Sequence, residues 1–70
     1  MTIDIQVLSL QADQLMKEYA AGKLSNDEYK ELVNNMGMQA AIDQYTSILE
    51  ENLHYRDIIL TAVNIAVALA

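Results

Sequence analysis

Apolar side chains recur every three or four positions along the first part of the chain. They are Leu8, Ala12, Leu15 and Tyr19. This spacing places side chains on one face of an α-helix. The pattern stops before Gly22, and glycine ends helices readily because it adopts the left-handed conformation without a Cβ clash. The sequence therefore predicts a helix from about residue 4 to near Ala21.

The start of this helix has an alternative. Ile3, Ile5 and Val7 alternate with polar residues, which suits a short strand. Ile5 and Leu8 have helical spacing equally well. We expect a helix, and a strand added to the sheet edge of a partner stays open for residues 2–8.

The next turn carries the strongest local signal. Ser25 and Glu28 have the spacing of a capping box, in which each side chain bonds the backbone N–H of the other residue. Leu24 and Tyr29 flank this box at the spacing of a hydrophobic staple. Together with Gly22, these residues form a predicted helix-capping set, and a second helix should begin at Asn26.

Beyond the hairpin of residues 4–36, Gly37 predicts a break or a kink. No glycine or proline follows it, so a third helix is predicted over about residues 38–70, roughly 50 Å long. The whole chain has no proline and only two glycines. The prediction is one all-α domain over residues 1–70: a capped helical hairpin followed by a long, mostly apolar C-terminal helix.

A narrow polar stripe follows this last helix at alternating spacings of four and three. Its members are Asp43, Ser47, Glu50, His54, Asp57, Thr61 and Asn64. Nearly every other residue after Asp57 is apolar, and two short helices offer too little surface to cover such a helix. We therefore expect it to be buried in a homo-oligomer or against a larger protein partner.

The predicted interface on this helix comprises nine residues. They are Tyr45, Leu49, Asn52, Tyr55, Ile59, Ala62, Val63, Ala66 and Ala70. The alanines let a neighbouring helix approach closely. Asn52 falls at a coiled-coil a-like position, where a buried asparagine fixes register and oligomeric state. The alternative is an Asn52 that faces water at the rim.

A membrane role is less well supported by the same segment. The residues after Asp57 span only about 20 Å, short of the roughly 30 Å of hydrocarbon that a helix must cross. No lysine or arginine follows them. Membrane interaction is therefore unlikely and is kept only as a further alternative.

Composition narrows the function classes. The chain has 10 acidic and 4 basic residues, a net charge of −6 and no cysteine. Such a charge disfavours binding to nucleic acid, where phosphate neutralisation dominates affinity. Without cysteine there is no disulfide and no thiolate zinc site. The sequence therefore does not indicate whether the protein works in an oxidising or a reducing compartment. The acids at 27, 28 and 31 are too few to suggest DNA mimicry.

Glu51 and His54 form the sharpest candidate for chemistry. Glu-x-x-His on one helix is half of a ferritin-like di-iron site, which needs an additional carboxylate from a facing helix. The candidates for that carboxylate are Glu18, Glu28 and Glu31. Ordinary pairing of His54 with Glu50 and Asp57 along the helix explains the histidine better. We expect no metal site, no cofactor and no enzyme.

The aromatic and methionine residues are expected to pack. Tyr19, Tyr29, Tyr45 and Tyr55 are the aromatics of the chain, and each is expected to anchor a core or interface with its hydroxyl at the rim.

Residues 12–36 resemble a known family pattern, the SHOCT helical hairpin. The residues that carry the resemblance are Leu15, Gly22, Leu24, Ser25, Glu28, Tyr29 and Leu32. This chain departs from the pattern with Asn34-Asn35-Met36-Gly37 and a long third segment. SHOCT hairpins occur in many bacterial and phage proteins, and small chains of this kind look like accessory proteins of tailed phages.

The resemblance implies a role in assembly or interaction rather than chemistry. We expect a small structural protein that self-associates or docks on a larger complex, plausibly a phage virion, in the cytoplasm or on the particle. The alternative is a regulatory binder or inhibitor of a host or viral protein.

Overall fold

Five helices account for most of residues 4–69, the residues that the computed structural model describes. No strand occurs among these residues, so the all-α prediction is confirmed. The helices are α1 (Ile5–Ala20), α2 (Asn26–Asn35), α3 (Met38–Gln44), α4 (Thr46–Glu51) and α5 (Leu53–Ala68).

The first helix begins at a side-chain cap. The Asp4 carboxylate accepts hydrogen bonds from the backbone N–H groups of Gln6, at 2.9 Å, and Val7, at 3.4 Å. An acidic N-cap satisfies donors that have no partner within the helix and suits the positive end of the helix dipole. The strand alternative is therefore wrong for residues 5–8, while Ile3 lies outside the described residues.

The turn between α1 and α2 is a Schellman motif. Gly22 has φ 78°, its N–H donates to the Tyr19 carbonyl at 3.1 Å, and the Lys23 N–H donates to the Glu18 carbonyl at 2.9 Å. These two bonds satisfy carbonyls that the end of a helix leaves free. The predicted helix end near Ala21 is confirmed.

The predicted capping box starts α2. The Glu28 N–H donates to Ser25 Oγ at 3.1 Å, and the Ser25 N–H donates to the Glu28 carboxylate at 3.0 Å. Hydrogen bonds from the Ser25 backbone and then from its hydroxyl hold the pKa of Glu28 below its ordinary value of 4.5. Leu24, the other residue of the predicted staple, is partly buried and packs against the core that contains Tyr29.

The predicted break at Gly37 is confirmed. Gly37 has φ 67° and its N–H donates to the Asn34 carbonyl at 3.1 Å. The left-handed conformation of this one residue ends α2 and lets the chain turn directly into α3.

The predicted continuous helix over residues 38–70 is wrong in its continuity. The chain leaves helical geometry at Tyr45 and again at Asn52, which divides the segment into α3, α4 and α5. Packing explains the breaks: the molecule measures 33 × 22 × 18 Å, and a straight helix of roughly 50 Å would extend far beyond it. Bending the segment allows Met38, Leu49 and Ile59 to enter one core.

Helix α5 is central to that core, because it contacts each of the other four helices. The fully packed apolar side chains come from all five helices. They are Ile5, Leu8, Ala12, Leu15, Tyr29, Val33, Met38, Ala41, Leu49, Ile59, Ala62 and Val63. The chain therefore covers much of its own apolar C-terminal helix.

Tyr29 corrects one expectation about the aromatic residues. Its side chain is 0% exposed, and its hydroxyl donates to the Ala62 carbonyl of α5 at 2.8 Å rather than lying at the rim. Tyr19 stacks beside it with ring centroids 4.9 Å apart, and its own hydroxyl bonds Asn26 Oδ1 at the surface at 2.6 Å. Burial, and then the neighbouring Tyr19, raise the pKa of Tyr29 above its ordinary value of 10.0.

Candidate interaction surface

A groove of about 560 Å³ lies between α2, α3 and α5. We call it the α5 groove. Its apolar lining comes from Val33, Ala40, Val63, Ala66 and Val67, with Gly37 at the turn between α2 and α3. Its polar lining comes from Lys30, Asn34, Gln39 and Asp43. An apolar floor with a few polar groups around it is the usual character of a protein binding site.

Val67 is the one valine of this lining that is exposed. Its side chain is on the outer side of α5 and 64% of its surface is accessible to solvent. Ala40 is also exposed, whereas Val63 and Val33 are buried beneath. The apolar lining of the groove therefore extends from the buried core to the exposed side chains of Ala40 and Val67, which another molecule can reach.

Lys30 closes the end of the groove nearest the C-terminal end of α5. Its ammonium donates to the Leu69 carbonyl at 3.3 Å and lies 3.5 Å from the Asp27 carboxylate. A lysine near the last carbonyls of a helix satisfies free acceptors and complements the helix dipole. Lys30 therefore links α2 to the C-terminal end of α5 at one end of the groove.

The eight described residues of the predicted interface separate into three groups. Four of them are buried in the core of the chain itself: Leu49, Ile59, Ala62 and Val63. Tyr45, Tyr55 and Ala66 are partly buried against the core, and Asn52 is exposed. Ala70 lies outside the described residues. Leu49, Ile59 and Ala62 are at most 1% exposed and pack within the same chain, whereas Val63 is 5% exposed and lines the α5 groove.

Asn52 has a different role from the one predicted. It is the single residue between α4 and α5, and its side-chain amide donates to the Ile48 carbonyl at 2.9 Å. The alternative of an asparagine that faces water describes its exposure correctly.

The polar stripe identified in the sequence faces solvent. All seven members are exposed, although the helix that carries them is divided at Tyr45 and Asn52. Their exposure and the burial of the opposite side follow the same helical period.

Glu51 and His54 do not share a helix. Glu51 is the last residue of α4 and His54 belongs to α5, so the break at Asn52 separates the two halves of the Glu-x-x-His pattern. Among residues 4–69, no group of three or more His, Cys, Asp or Glu side chains is placed to hold a metal ion. The His54 ring instead lies 5.8 Å from that of Tyr55.

Comparison of the chain with family models, curated proteins and solved structures finds no match in any of the three. The resemblance to the SHOCT hairpin stays a prediction that rests on the matching residues between Leu15 and Leu32. In the part of the chain that the structure describes, no helix is long and apolar enough to cross a membrane.

The sequence interpretation missed several exposed apolar residues. Val67 and Ala40 line the α5 groove, and Ile48 and Leu53 flank the break at Asn52. Val67 lies among apolar neighbours in the sequence, so no local signal separates it from the buried residues. Its exposure depends on where α2 and α3 end, which only the tertiary structure shows.

Proposed function

We propose that this protein is a small helical assembly protein that binds another protein chain through the α5 groove. The observation that carries the proposal is Val67, which is 64% exposed on the edge of an apolar groove. Burial of such a side chain against a partner removes apolar surface from water and favours association.

The size and lining of the groove support a protein partner. Its open lining by three helices suits an amphipathic helix, which offers apolar residues at three- and four-residue spacing. Gly37, Ala40 and Ala66 are small and allow a second backbone to come close. The polar side chains at the margin supply hydrogen bonds for a rim.

The charge of the chain limits the kind of partner. A net charge of −6 repels acidic surfaces and steers basic ones toward it. Self-association remains compatible with this charge if apolar contacts dominate. Self-association and docking on a larger complex, such as a phage particle, both use the same surface, and either places the protein in the cytoplasm or on a virion.

Val67→Glu tests the proposal against a matched control, Val7→Glu. Val7 is also exposed, at 48%, but it is on α1 and outside the groove. We expect light scattering after size exclusion to show an oligomer whose association weakens about tenfold or more in Val67→Glu, since burial of valine is lost and a carboxylate must be desolvated. Val7→Glu should associate like the wild type.

Equal weakening in the two variants would contradict the α5 groove as the binding surface. A wild-type chain that stays monomeric at every concentration would exclude self-association and leave only a different protein as the partner.

A further inference from the structure

The break between α4 and α5 is not imposed by a helix-breaking residue. Asn52 alone separates the two helices, with φ −125° and ψ 66°, and neither glycine nor proline occurs after Gly37. No side-chain cap starts α5. No glycine or proline causes this break, so it is held by the Asn52 side chain and by the packing of the flanking helices.

The hydrogen bonds at Asn52 are a substitute for helical ones. In an uninterrupted α-helix the Ile48 carbonyl would accept the backbone N–H of Asn52. Here it accepts the Asn52 side-chain amide at 2.9 Å, in an exposed position, while the Asn52 N–H donates to the Leu49 carbonyl at 3.1 Å. Asparagine side chains compete with helical bonding in this way, and loss of one exposed bond is a small penalty for straightening.

The sequence keeps one helical register across the break. Ser47 and Glu50 precede Asn52, His54 and Asp57 follow it, and the spacings stay at three and four. A continuous helix over residues 46–68, about 35 Å long, would carry the members of the polar stripe from Ser47 to Asn64 on one side.

We propose that Asn52 is the hinge of a domain-swapped dimer. The hinge straightens, α4 and α5 become one helix, and α5 packs on α1, α2 and α3 of a second copy. This inference goes beyond the proposed function, because the swap joins two copies through the packing of α5 on α1, α2 and α3 and does not use the α5 groove. The swap preserves the core contacts that α5 makes with these three helices and exchanges only the chain that supplies α5.

Two exposed apolar side chains fit this arrangement. Ile48 and Leu53 flank the hinge, with 45% and 56% of their surfaces in water. The hinge segments of a swapped dimer lie near its two-fold axis, where each meets its symmetry mate. Ile48 and Leu53 therefore gain apolar neighbours in the dimer that the single chain does not give them.

The first test compares Asn52→Ala with Asn52→Gly. Both variants lose the side-chain bond to Ile48, so they differ mainly in helix propensity at the hinge. Alanine favours the straight hinge about fivefold over glycine, and a dimer has two hinges, so the dimerisation constant of Asn52→Ala should exceed that of Asn52→Gly by about thirtyfold. Sedimentation equilibrium after refolding measures both constants.

Asn64 supplies the matched control. It is an exposed asparagine inside α5, helical in the single chain and in the swapped dimer alike. Asn64→Ala and Asn64→Gly should therefore differ in stability but share one dimerisation constant. A thirtyfold difference at Asn64 as well, or none at Asn52, would overturn the hinge.

The second test asks which chain supplies α5. The contact between Tyr29 and Ala62, 2.8 Å from hydroxyl to carbonyl, joins residues on opposite sides of the hinge. Labelled and unlabelled chains are unfolded, mixed and refolded at high concentration, and isotope-filtered nuclear Overhauser spectra are recorded on the dimer. The swap predicts cross-peaks between Tyr29 and Ala62 of different chains.

A dimer in which this contact stays within one chain would overturn the swap and leave the proposed function standing. That outcome, combined with loss of the dimer in Val67→Glu, would assign the association to the α5 groove. A chain that is monomeric under all these conditions, in both Asn52 variants, would overturn the swap directly.

Discussion

Replacing Tyr29 by phenylalanine removes one oxygen atom from the centre of the fold. The Tyr29 side chain is fully buried, and its hydroxyl donates to the Ala62 carbonyl at 2.8 Å. This bond joins α2 to α5 across a long separation in the sequence. The variant keeps the aromatic ring, so the packing beside Tyr19 should survive while the bond between the helices is lost.

The expected loss in unfolding free energy is about 1 kcal/mol. A buried hydrogen bond contributes about 0.5–1.5 kcal/mol net, and Ala62 lies inside α5, where helical bonding already gives its carbonyl one donor. A chain of 70 residues is expected to be stable by about 3.5–10 kcal/mol, so the loss is a sizeable fraction. The Tm should fall by about 4–8 °C.

Tyr19→Phe is the control for this measurement. It also removes a tyrosine hydroxyl, but one that bonds Asn26 at the surface. We expect its effect to be below about 0.5 kcal/mol, because water replaces an exposed partner. Urea unfolding followed by circular dichroism gives both values. Equal losses in the two variants, or no loss in Tyr29→Phe, would refute the assignment of the bond to Ala62 as a stabilising contact.

The pH dependence of stability gives an independent test of the burial of this hydroxyl. Burial raises the pKa of Tyr29 above 10.0, so the folded state holds the phenol proton more tightly than the unfolded state does. The resulting stability is fully present below pH 10 and falls as the pH rises through the unfolded value toward the folded one. The difference between wild type and Tyr29→Phe should therefore shrink above pH 10. A constant difference would contradict a buried neutral hydroxyl.

The remaining predictions concern the first turn. Ser25→Ala removes half of the capping box and should cost about 1 kcal/mol by thermal unfolding, whereas Ser47→Ala, at an exposed position within α4, should change little. Because hydrogen bonds from Ser25 lower the pKa of Glu28, the stabilisation from that carboxylate is present above pH 4.5 and is lost as the pH falls through its folded value. Gly22→Ala should cost about 1 kcal/mol from φ 78° alone, since no atom lies within 4 Å of the added Cβ, and Gly22→Asn should cost less. An Ala variant as stable as the wild type would refute this account of Gly22.

The turn from α1 to α2 could be predicted in detail from the sequence. Gly22, Ser25 and Glu28 act through bonds to residues no more than four positions away, so the partners are fixed by the chain itself. The same holds for the left-handed Gly37 and for the polar stripe, whose helical period places every member in water. Local hydrogen bonding and periodicity need no knowledge of distant segments.

Only the tertiary structure shows how the C-terminal segment is divided into α3, α4 and α5. No glycine or proline breaks the helix at Asn52, and the break places Leu49 and Ile59 in one core with Tyr29. That gain comes from residues far apart in the chain, which helix propensity does not include. For the same reason the sequence could not separate buried Val63 from exposed Val67: both are valines on α5, and only the positions of α2 and α3 determine which of them water reaches.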